Sequence, residues 1–506
     1  MINAEDSMVN DLKGTRFHGS EENLISQIQT EILDFEQHLD GQQRQFFNSY
    51  FGSSPEEGKK KVIKIPFLNL KAKVHKLSQK DISDKNVKKL PFRPVVDQSQ
   101  WLFKKHSSAL SDLVNIIIDR TIELSSSSII KELFPKSGVE VANKYSKYSF
   151  KNEDSMKLLI SADLSNAYSE VMLDDLELAI EHLGLATGLG AWQFELIISL
   201  ARLILKNNYI ECSRGIFKLT ECLAMGMGAS PACLNFTGLS SEFRRFSSPN
   251  SSIILPKSVL PTNVLQEDIK KHLDTICLYM RYQDDTKTMA ESKSIVSLAN
   301  IILGVGTMFP KTIPINIDLF NVHGSFLDVV FLRKLSTNKI ETLVRKNFSS
   351  PSTITPSWSA TPKKYKIVPL KTEMLRVRRI CSKDSYIKLY DSLLEREYSM
   401  KGYKQISGNM EDIKKYFLNH FKEDFTKVQH ENSSKEGLVY GATTTFEIKA
   451  KTHKTVISFI KDALGEENVK LPFLIPSVKL GQALHTRKNY LKKLRYQVLQ
   501  TQPPFL

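Results

Sequence analysis

The chain has 506 residues, 41% of them hydrophobic, and a formal net charge of +15 from 70 Lys and Arg against 55 Asp and Glu. A chain of this length and hydrophobic content predicts a globular protein of two to four domains, which excludes a disordered tail and a small disulfide-stabilised scaffold. The basic balance favours a polyanionic partner such as a nucleic acid, and it gives only a modest preference because many basic proteins have other roles.

Cysteine usage and hydropathy indicate the compartment. The five cysteines form no CxxC pair and no cluster with histidine at zinc-ligand spacing. Their odd number and apolar surroundings predict reduced thiols, and the acidic, polar N-terminus is unlike a signal peptide, so we expect a nuclear or cytoplasmic protein that is not secreted. The longest apolar stretch, residues 294–309, is too short and too interrupted by glycine to cross a bilayer, so no membrane association is expected.

The first predicted element is an N-terminal helical extension within residues 1–58. Leu24, Ile28 and Ile32 recur at helical spacing, and residues 51–58 are rich in Gly, Ser and Pro, which is typical of a linker.

An apolar run with an acid near its end follows at residues 158–164. Asp163 is the acid, and Tyr168 comes five positions later. Taken alone, Asp163 is better explained as the N-cap of a helix, since an apolar pattern at helical spacing continues soon afterwards. The other interpretation is a strand that presents a carboxylate at its end.

Residues 209–236 predict a hairpin and then a junction between a loop and a helix. Residues 209–220 alternate as two strands around a turn at 213–215. Residues 224–229 are rich in Gly and Ala, and such small residues let a backbone approach a flat ligand closely. Ser230 is then predicted to cap a helix with Pro231 at its first position, and a purely structural junction explains this segment equally well.

The next segment carries two adjacent carboxylates. Residues 275–282 form an apolar strand, Asp284 and Asp285 follow as an acidic turn, and residues 286–290 predict a second strand. Two neighbouring negative charges repel each other, which is difficult to explain as packing. They suit a divalent cation such as Mg²⁺, which takes one or two carboxylates together with substrate phosphates. For this pair alone, a solvated turn is an equally good explanation.

Asp163 favours the metal site over the solvated turn as the explanation of Asp284 and Asp285. It precedes Asp284 by 121 residues (284 − 163), so only the fold brings the two together. Two strands that present these acids at adjacent ends would hold two metal ions about 4 Å apart, as in-line phosphoryl transfer requires.

The order of these motifs resembles motifs A, B and C of a reverse transcriptase palm. The corresponding segments are DxxxxY at 163–168, MG followed by SP at 225–231, and YxDD at 282–285. Four further segments resemble motifs of Penelope-like retroelements: KVHK at 73–76, RPVV at 93–96, FLDV at 326–329 and RRICS at 378–382. Residues 436–506 contain no strand pair like that of a GIY-YIG endonuclease, so we expect a member that lacks this domain.

The resemblance implies an α+β fold of the right-hand polymerase type, with fingers, a palm built on an antiparallel sheet, and a helical thumb. Its domains would be the N-terminal extension at 1–58, fingers and palm at 59–345, a thumb-like helical region at 346–435, and a basic C-terminal region at 436–506. Within these, residues 247–262 predict a surface insertion and residues 487–496 a basic helix.

The implied function is RNA-directed DNA polymerisation by a retroelement or a domesticated copy. The partners would be an RNA template, a DNA or RNA primer and deoxynucleoside triphosphates. Two alternatives stay open: a domesticated nucleic-acid-binding protein with reduced catalysis, and an RNA-dependent RNA polymerase. The intact carboxylate set argues against the first alternative, and Tyr168 argues against the second.

The resemblance also implies roles for individual residues. Asp163, Asp284 and Asp285 would bind two Mg²⁺ ions, with Mn²⁺ as a substitute and with Asp285 as the supporting acid. Tyr168 would lie under the sugar of the incoming nucleotide and exclude a 2′-hydroxyl. The remaining nucleotide-binding residues would be Lys73 and Arg93 on the triphosphate, with Lys76 as a substitute for Lys73, and Gly226 and Ser230 beside the templating pair. Asp328 is expected to have a structural role.

Overall fold

The structure is a computed structural model that describes residues 9, 13–51, 63–72, 92–147, 155–246, 275–306, 308–309, 315–320, 323–334, 339–345, 354–359, 363–404 and 406–420. The strands, in chain order, are β1 (Gly14–Arg16), β2 (Phe67–Ala72), β3 (Phe92–Asp97), β4 (Met156–Leu164), β5 (Tyr209–Cys212), β6 (Gly215–Leu219), β7 (Ile276–Tyr282), β8 (Asp285–Ser292), β9 (Ile315–Phe320), β10 (His323–Phe326), β11 (Val329–Lys334) and β12 (Lys339–Val344).

The helices, in chain order, are α1 (Glu21–Gln37), α2 (Gly41–Phe51), α3 (Lys104–Leu124), α4 (Ser128–Lys131), α5 (Gly138–Lys147), α6 (Ala167–Glu170), α7 (Leu173–Thr187), α8 (Ala191–Lys206), α9 (Ser230–Phe246), α10 (Ile295–Gly306), α11 (Lys363–Ile380), α12 (Asp384–Met400) and α13 (Ile406–His420). The predicted α+β class, with antiparallel sheets and helices, is therefore confirmed. No helix among the residues listed above is long and apolar enough to cross a bilayer.

The chain divides into two compact units. The first comprises residues 1–134, 155–319 and 485–506, and the second comprises residues 135–154 and 320–484. The domain boundaries expected from the sequence at 58, 345 and 435 stay predictions.

A five-stranded sheet in the first unit has the order β1-β6-β5-β2-β3. Its neighbouring strands are antiparallel except for β2 and β5, which run parallel. The predicted hairpin at 209–220 is confirmed as β5 and β6, which are joined by a tight turn at Ser213 and Arg214. Strand β3 lies at the edge of this sheet, where its Pro94 removes a backbone donor at little cost.

A four-stranded sheet with the order β7-β8-β4-β9 completes the sheets of the first unit. Strand β4 shows why Asp163 is part of a strand: residues Met156 to Asp163 pair in register with β8, and buried side chains lie on both faces of β4, as expected for an inner strand. The interpretation of Asp163 as a helix N-cap is therefore wrong. Asn166, in a left-handed conformation with φ 53°, occupies the N-cap of α6 instead.

Helices α3, α7, α8 and α9 pack against one another around the main apolar core. Their inward residues recur at helical spacing, for example Leu110, Val114 and Ile117 on α3, all nearly inaccessible to solvent. Helix α10 covers one face of the four-stranded sheet with Leu298, Ile301 and Val305. The core thus holds the strands that carry the candidate site.

The second unit contains the antiparallel sheet β10-β11-β12 and helices α5, α11, α12 and α13. Tyr145 of α5 stacks on Phe331 of β11 with ring centroids 4.4 Å apart. Asp328 lies against the start of α5, where a Cβ on Gly138 would come within 1.7 Å of its carboxylate. It also pairs with Arg376 of α11 at 2.7 Å, so Asp328 joins two helices to the hairpin, in agreement with its expected structural role.

Several expectations fall outside the described residues. These are the proposed triphosphate contacts Lys73 and Lys76, the insertion at 247–262 and the basic helix at 487–496.

Candidate active site

Strand register brings the three motif acids to one end of the four-stranded sheet. Strands β4 and β8 are antiparallel, and Asp163 lies directly opposite Asp285. The next backbone contact past this pair is a hydrogen bond of 3.0 Å from the amide of Leu164 to the carbonyl of Asp284. Asp163 and Asp285, which are 122 positions apart (285 − 163) in the sequence, are thereby cross-strand neighbours.

The connection between β7 and β8 is a tight turn formed by Gln283 and Asp284, and Asp285 is the first residue of β8. The acidic turn predicted from Asp284 and Asp285 is therefore displaced by one residue. Gln283 has a φ of 57°, in the left-handed region that a non-glycine residue seldom adopts. Such conformations persist where surrounding contacts enforce them, and they concentrate at functional sites.

One face of this sheet lies against helices α9 and α10. On this face, Ile160 and Ala162 of β4 point toward helix α10, and Tyr279 and Arg281 of β7 contact helix α9. Side chains alternate along a strand, and directly paired residues share a face. Asp163 and its partner Asp285 therefore point to the face opposite these helices, where both are exposed.

The donor set at this edge suits a hard cation. Three carboxylates supply only oxygen ligands, which is the preference of Mg²⁺ and Mn²⁺. No group of three or more His, Cys, Asp or Glu side chains within the described ranges is arranged to hold a metal ion as it stands. The backbone nevertheless places Asp163, Asp284 and Asp285 at one end of the sheet.

Tyr168 lies beside the turn, and its predicted contact with the sugar of a nucleotide stays a prediction. Its hydroxyl donates a hydrogen bond of 3.1 Å to Oε1 of Gln283. Burial, with help from the negative charge of Asp284, raises the pKa of Tyr168 to about 12, and Arg93 acts in the opposite direction. The phenol therefore stays protonated and neutral at physiological pH. Tyr168, Asp284 and Arg93 are close enough to interact electrostatically.

The glycine-containing loop before α9, residues 224–229, packs closely against strand β3. The amide of Val96 donates to the carbonyl of Met225 at 2.8 Å. Gly226 has a φ of 101°, and a Cβ there would lie 2.2 Å from the carbonyl oxygen of Val96. Only glycine fits this contact without strain.

A cavity of about 490 Å³ opens between this loop and strands β2 and β3. Its lining includes Lys71, Lys104 and Gly226. Arg93, which is exposed, is the cross-strand partner of Lys71. Lys71 was not predicted from the sequence. It stands two residues before Lys73 in the sequence, and the strand rule that every second residue shares a face is the signal that could have indicated it.

Ser230 differs from Gly226. Helix α9 begins at Ser230 itself, so the predicted cap is displaced by one residue. The side chain of Ser230 is fully buried, and its Oγ has no hydrogen-bond partner. In this conformation the loop glycine, and not Ser230, is accessible to a ligand.

No protein-family model and no curated protein matches the chain. Among solved structures, telomerase from Candida albicans in complex with a TWJ fragment of telomeric RNA is 12% identical, covers 66% of this chain and 54% of that chain, and has a TM-score of 0.40. Apo telomerase from Candida tropicalis truncated from its C-terminal domain is 11% identical, covers 55% of this chain and 56% of that chain, and has a TM-score of 0.35. The chain spans about half the length of these proteins. Likeness at TM-scores below 0.5 does not by itself assign an activity.

Two buried cations near the turn were missed by sequence reasoning. Lys287 lies on the same face as Asp285, and its ammonium group contacts Ser161 of β4. Burial lowers the pKa of Lys287 to about 8, against the opposite effect of Asp318 and Asp285. The other is Arg281, which is completely buried. A charged residue inside an apolar strand implies a buried partner, and that is the signal by which Arg281 could have been found.

Proposed function

We propose that this chain is an RNA-directed DNA polymerase of the reverse transcriptase type, related to the Penelope-like retroelements. The observation that carries the proposal is the register that pairs Asp163 with Asp285 and places Asp284 in the adjoining turn. The A-like and C-like segments thus lie at one end of the four-stranded sheet, and the B-like loop packs against strand β3.

The chemistry follows from the residues at this edge. Asp163 and Asp284 would hold two Mg²⁺ ions, and Asp285 would support them through its charge. When bound, the ions activate a primer 3′-hydroxyl and stabilise negative charge that develops on the phosphates. Because two carboxylates at one strand end repel each other, a cation at this position also relieves their mutual repulsion.

Other side chains would orient the substrate. Tyr168, held by Gln283, presents a neutral aromatic ring beside the acids, which is suited to packing against a deoxyribose. Arg93 offers a planar fork of donors to phosphate oxygens, and Lys71 adds a point charge from the neighbouring strand. Gly226, which is exposed in the loop that packs against β3, would lie beside the templating pair.

Primer extension tests this proposal. Purified protein is given oligo(dT) annealed to poly(rA), dTTP and Mg²⁺, and the Asp284→Asn variant is compared with Asp174→Asn. The control removes the same charge from an exposed position in the first turn of α7. We expect Asp284→Asn to lose about 100-fold or more in rate, since losing a metal ligand raises the barrier by about 3 kcal/mol.

The outcomes separate the alternatives. If Asp284→Asn extends the primer within tenfold of Asp174→Asn, Asp284 is not part of the site. Tight duplex binding by the wild-type protein without any extension would favour a nucleic-acid-binding protein with reduced catalysis. Preferential incorporation of UTP over dTTP would favour an RNA polymerase.

A further inference from the structure

Arg281, immediately before the Tyr282 of the YxDD segment, forms a fully buried ion pair with helix α9. Its Nε donates to Glu242 Oε1 at 2.7 Å, and its Nη2 donates to Oε2 at 2.9 Å. Both side chains have no solvent exposure. The hydroxyl of Tyr279 also donates to Glu242 at 2.8 Å, so the carboxylate is well satisfied.

The other donors of Arg281 join the acidic turn to the helix. Nη1 donates to the carbonyl of Gln283 at 3.1 Å and to Oδ1 of Asn235 at 3.1 Å. Nη2 donates further to the carbonyl of Asn235 at 2.9 Å. A guanidinium has five N–H donors, and each of the five contacts made here can use a different one. One of them holds the residue whose φ of 57° shapes the turn.

Residues of helix α9 and of the segment at 133–134 pack closely around Arg281. A Cβ on Gly238 would lie 2.6 Å from Nη2 of Arg281, so helix α9 carries a glycine where the group passes. The ring of Phe134 lies 4.9 Å from the guanidinium carbon on another side. The backbone amide of Arg281 donates to the carbonyl of Leu133 at 2.8 Å.

Stability alone does not account for such a pair. The cost of taking two charges out of water often exceeds their attraction, and apolar residues of similar volume frequently replace a buried ion pair without loss of stability. A hydrophobic replacement does not, however, hold a backbone carbonyl. The contacts that only the arginine supplies are therefore those to the carbonyls of Gln283 and Asn235, which join the turn to helix α9.

We propose that Arg281 is a positioning residue that fixes the turn of Gln283 and Asp284 to helix α9. Calling the turn an active site rests on the proposed function, whereas the anchoring itself does not. Helix α9 starts directly after the loop that Val96 holds through Met225. One rigid helix thus links the glycine loop at the cavity to the carboxylates, so both parts keep a fixed spacing.

The test replaces the pair with apolar residues. Arg281→Met and Glu242→Leu are combined in a Tyr279→Phe background, and Tyr279→Phe alone is the matched control because it leaves all contacts of Arg281 in place. Arg281→Lys is a second, milder variant that keeps the charge and loses the fork. The readouts are thermal unfolding, kcat and KM for dTTP in primer extension, and amide hydrogen exchange of the peptide that contains residues 282–286.

We expect the apolar variant to unfold near the temperature of its control and to lose about 100-fold in kcat, with KM for dTTP within threefold, since misplacement of catalytic groups by about 1 Å has an effect of this size. Exchange of the turn amides should accelerate about tenfold or more. Arg281→Lys should show the same changes to a smaller extent.

Retained kcat and unchanged exchange in the folded apolar variant would overturn the inference and leave Arg281 as a packing residue. If the apolar variant does not fold, Arg281→Lys decides by the same two readouts. If wild-type protein extends no primer, the proposed function fails, and the exchange rates still decide whether Arg281 anchors the turn.

Discussion

Replacing Gly226 with alanine should destabilise the first unit and disable the site, although the change adds a single methyl group. The Cβ would be 2.2 Å from the carbonyl oxygen of Val96 and 3.0 Å from its carbonyl carbon. The backbone φ of 101° adds strain for any residue with a side chain, of about 1–2 kcal/mol. Relief of the clash requires the loop to move away from β3, which breaks the bond of 2.8 Å between Val96 and Met225 at about 1 kcal/mol.

These contributions sum to a loss of about 2–3 kcal/mol in the free energy of unfolding. The matched control is Gly228→Ala in the same loop, where the nearest atom to a new Cβ is Cβ of Ser107 at an ordinary 3.5 Å. We expect that control to stay within about 1 kcal/mol of wild type. Urea unfolding followed by tryptophan fluorescence measures both, with stability taken from the midpoint at constant slope. Equal stability of the two variants would refute the close approach of the loop to β3.

Two further predictions concern buried groups of the first unit. Tyr168→Ala should lower the preference for dTTP over UTP about tenfold or more, as removal of a steric contact with the sugar requires; an unchanged preference would leave Tyr168 as a packing residue only. Burial lowers the pKa of His106 to about 4. The unfolded chain binds a proton near pH 6.5 and the folded chain only near pH 4, so wild-type stability should fall by at most about 3 kcal/mol as the pH drops through that window. His106→Phe, in a site already lined by Phe35, Phe47 and Phe103, should reduce that fall; the same pH dependence in variant and wild type would contradict the assignment.

The sequence predicted the site best where the pattern was local. The hairpin that carries Asp284 follows from an apolar strand, two polar residues and a second strand, and the structure places its strands within a few residues of the prediction. The turn shifted by one residue because nothing in the local pattern indicates that Gln283 adopts a left-handed conformation. The carbonyl of Gln283 accepts a hydrogen bond from Arg281, whose partners on α9 are about 40 residues away in the sequence.

Asp163 shows the opposite case. Its local pattern fits a helix N-cap, because an apolar helix follows soon afterwards and aspartate is a favoured cap. Strand pairing with β8 decides against that interpretation, and this pairing is a tertiary contact between distant segments. Only the order of the motifs, and not their local sequence, indicated that Asp163 and Asp284 meet.

Ser230 and Lys71 illustrate a third limit. Ser230 belongs to the segment at 225–231 and Lys71 precedes the KVHK segment by two residues, and burial decides which of the two side chains is accessible. Helix α9 turns Ser230 into the core, whereas strand alternation carries Lys71 into the lining of the cavity. Whether the side chain of a motif residue is exposed depends on how its helix or strand packs, and the motif sequence alone does not show this.

The most direct test of the central claim is to locate a metal ion at the acidic edge of the sheet. Crystals grown with a primer–template duplex, a non-hydrolysable deoxynucleoside triphosphate and Mn²⁺ would be measured for anomalous scattering. The proposed site predicts peaks about 2.1 Å from carboxylate oxygens of Asp163 and Asp284, with none in crystals of Asp284→Asn. A bound duplex with no anomalous peak at these carboxylates would contradict metal-dependent nucleotidyl transfer by this chain.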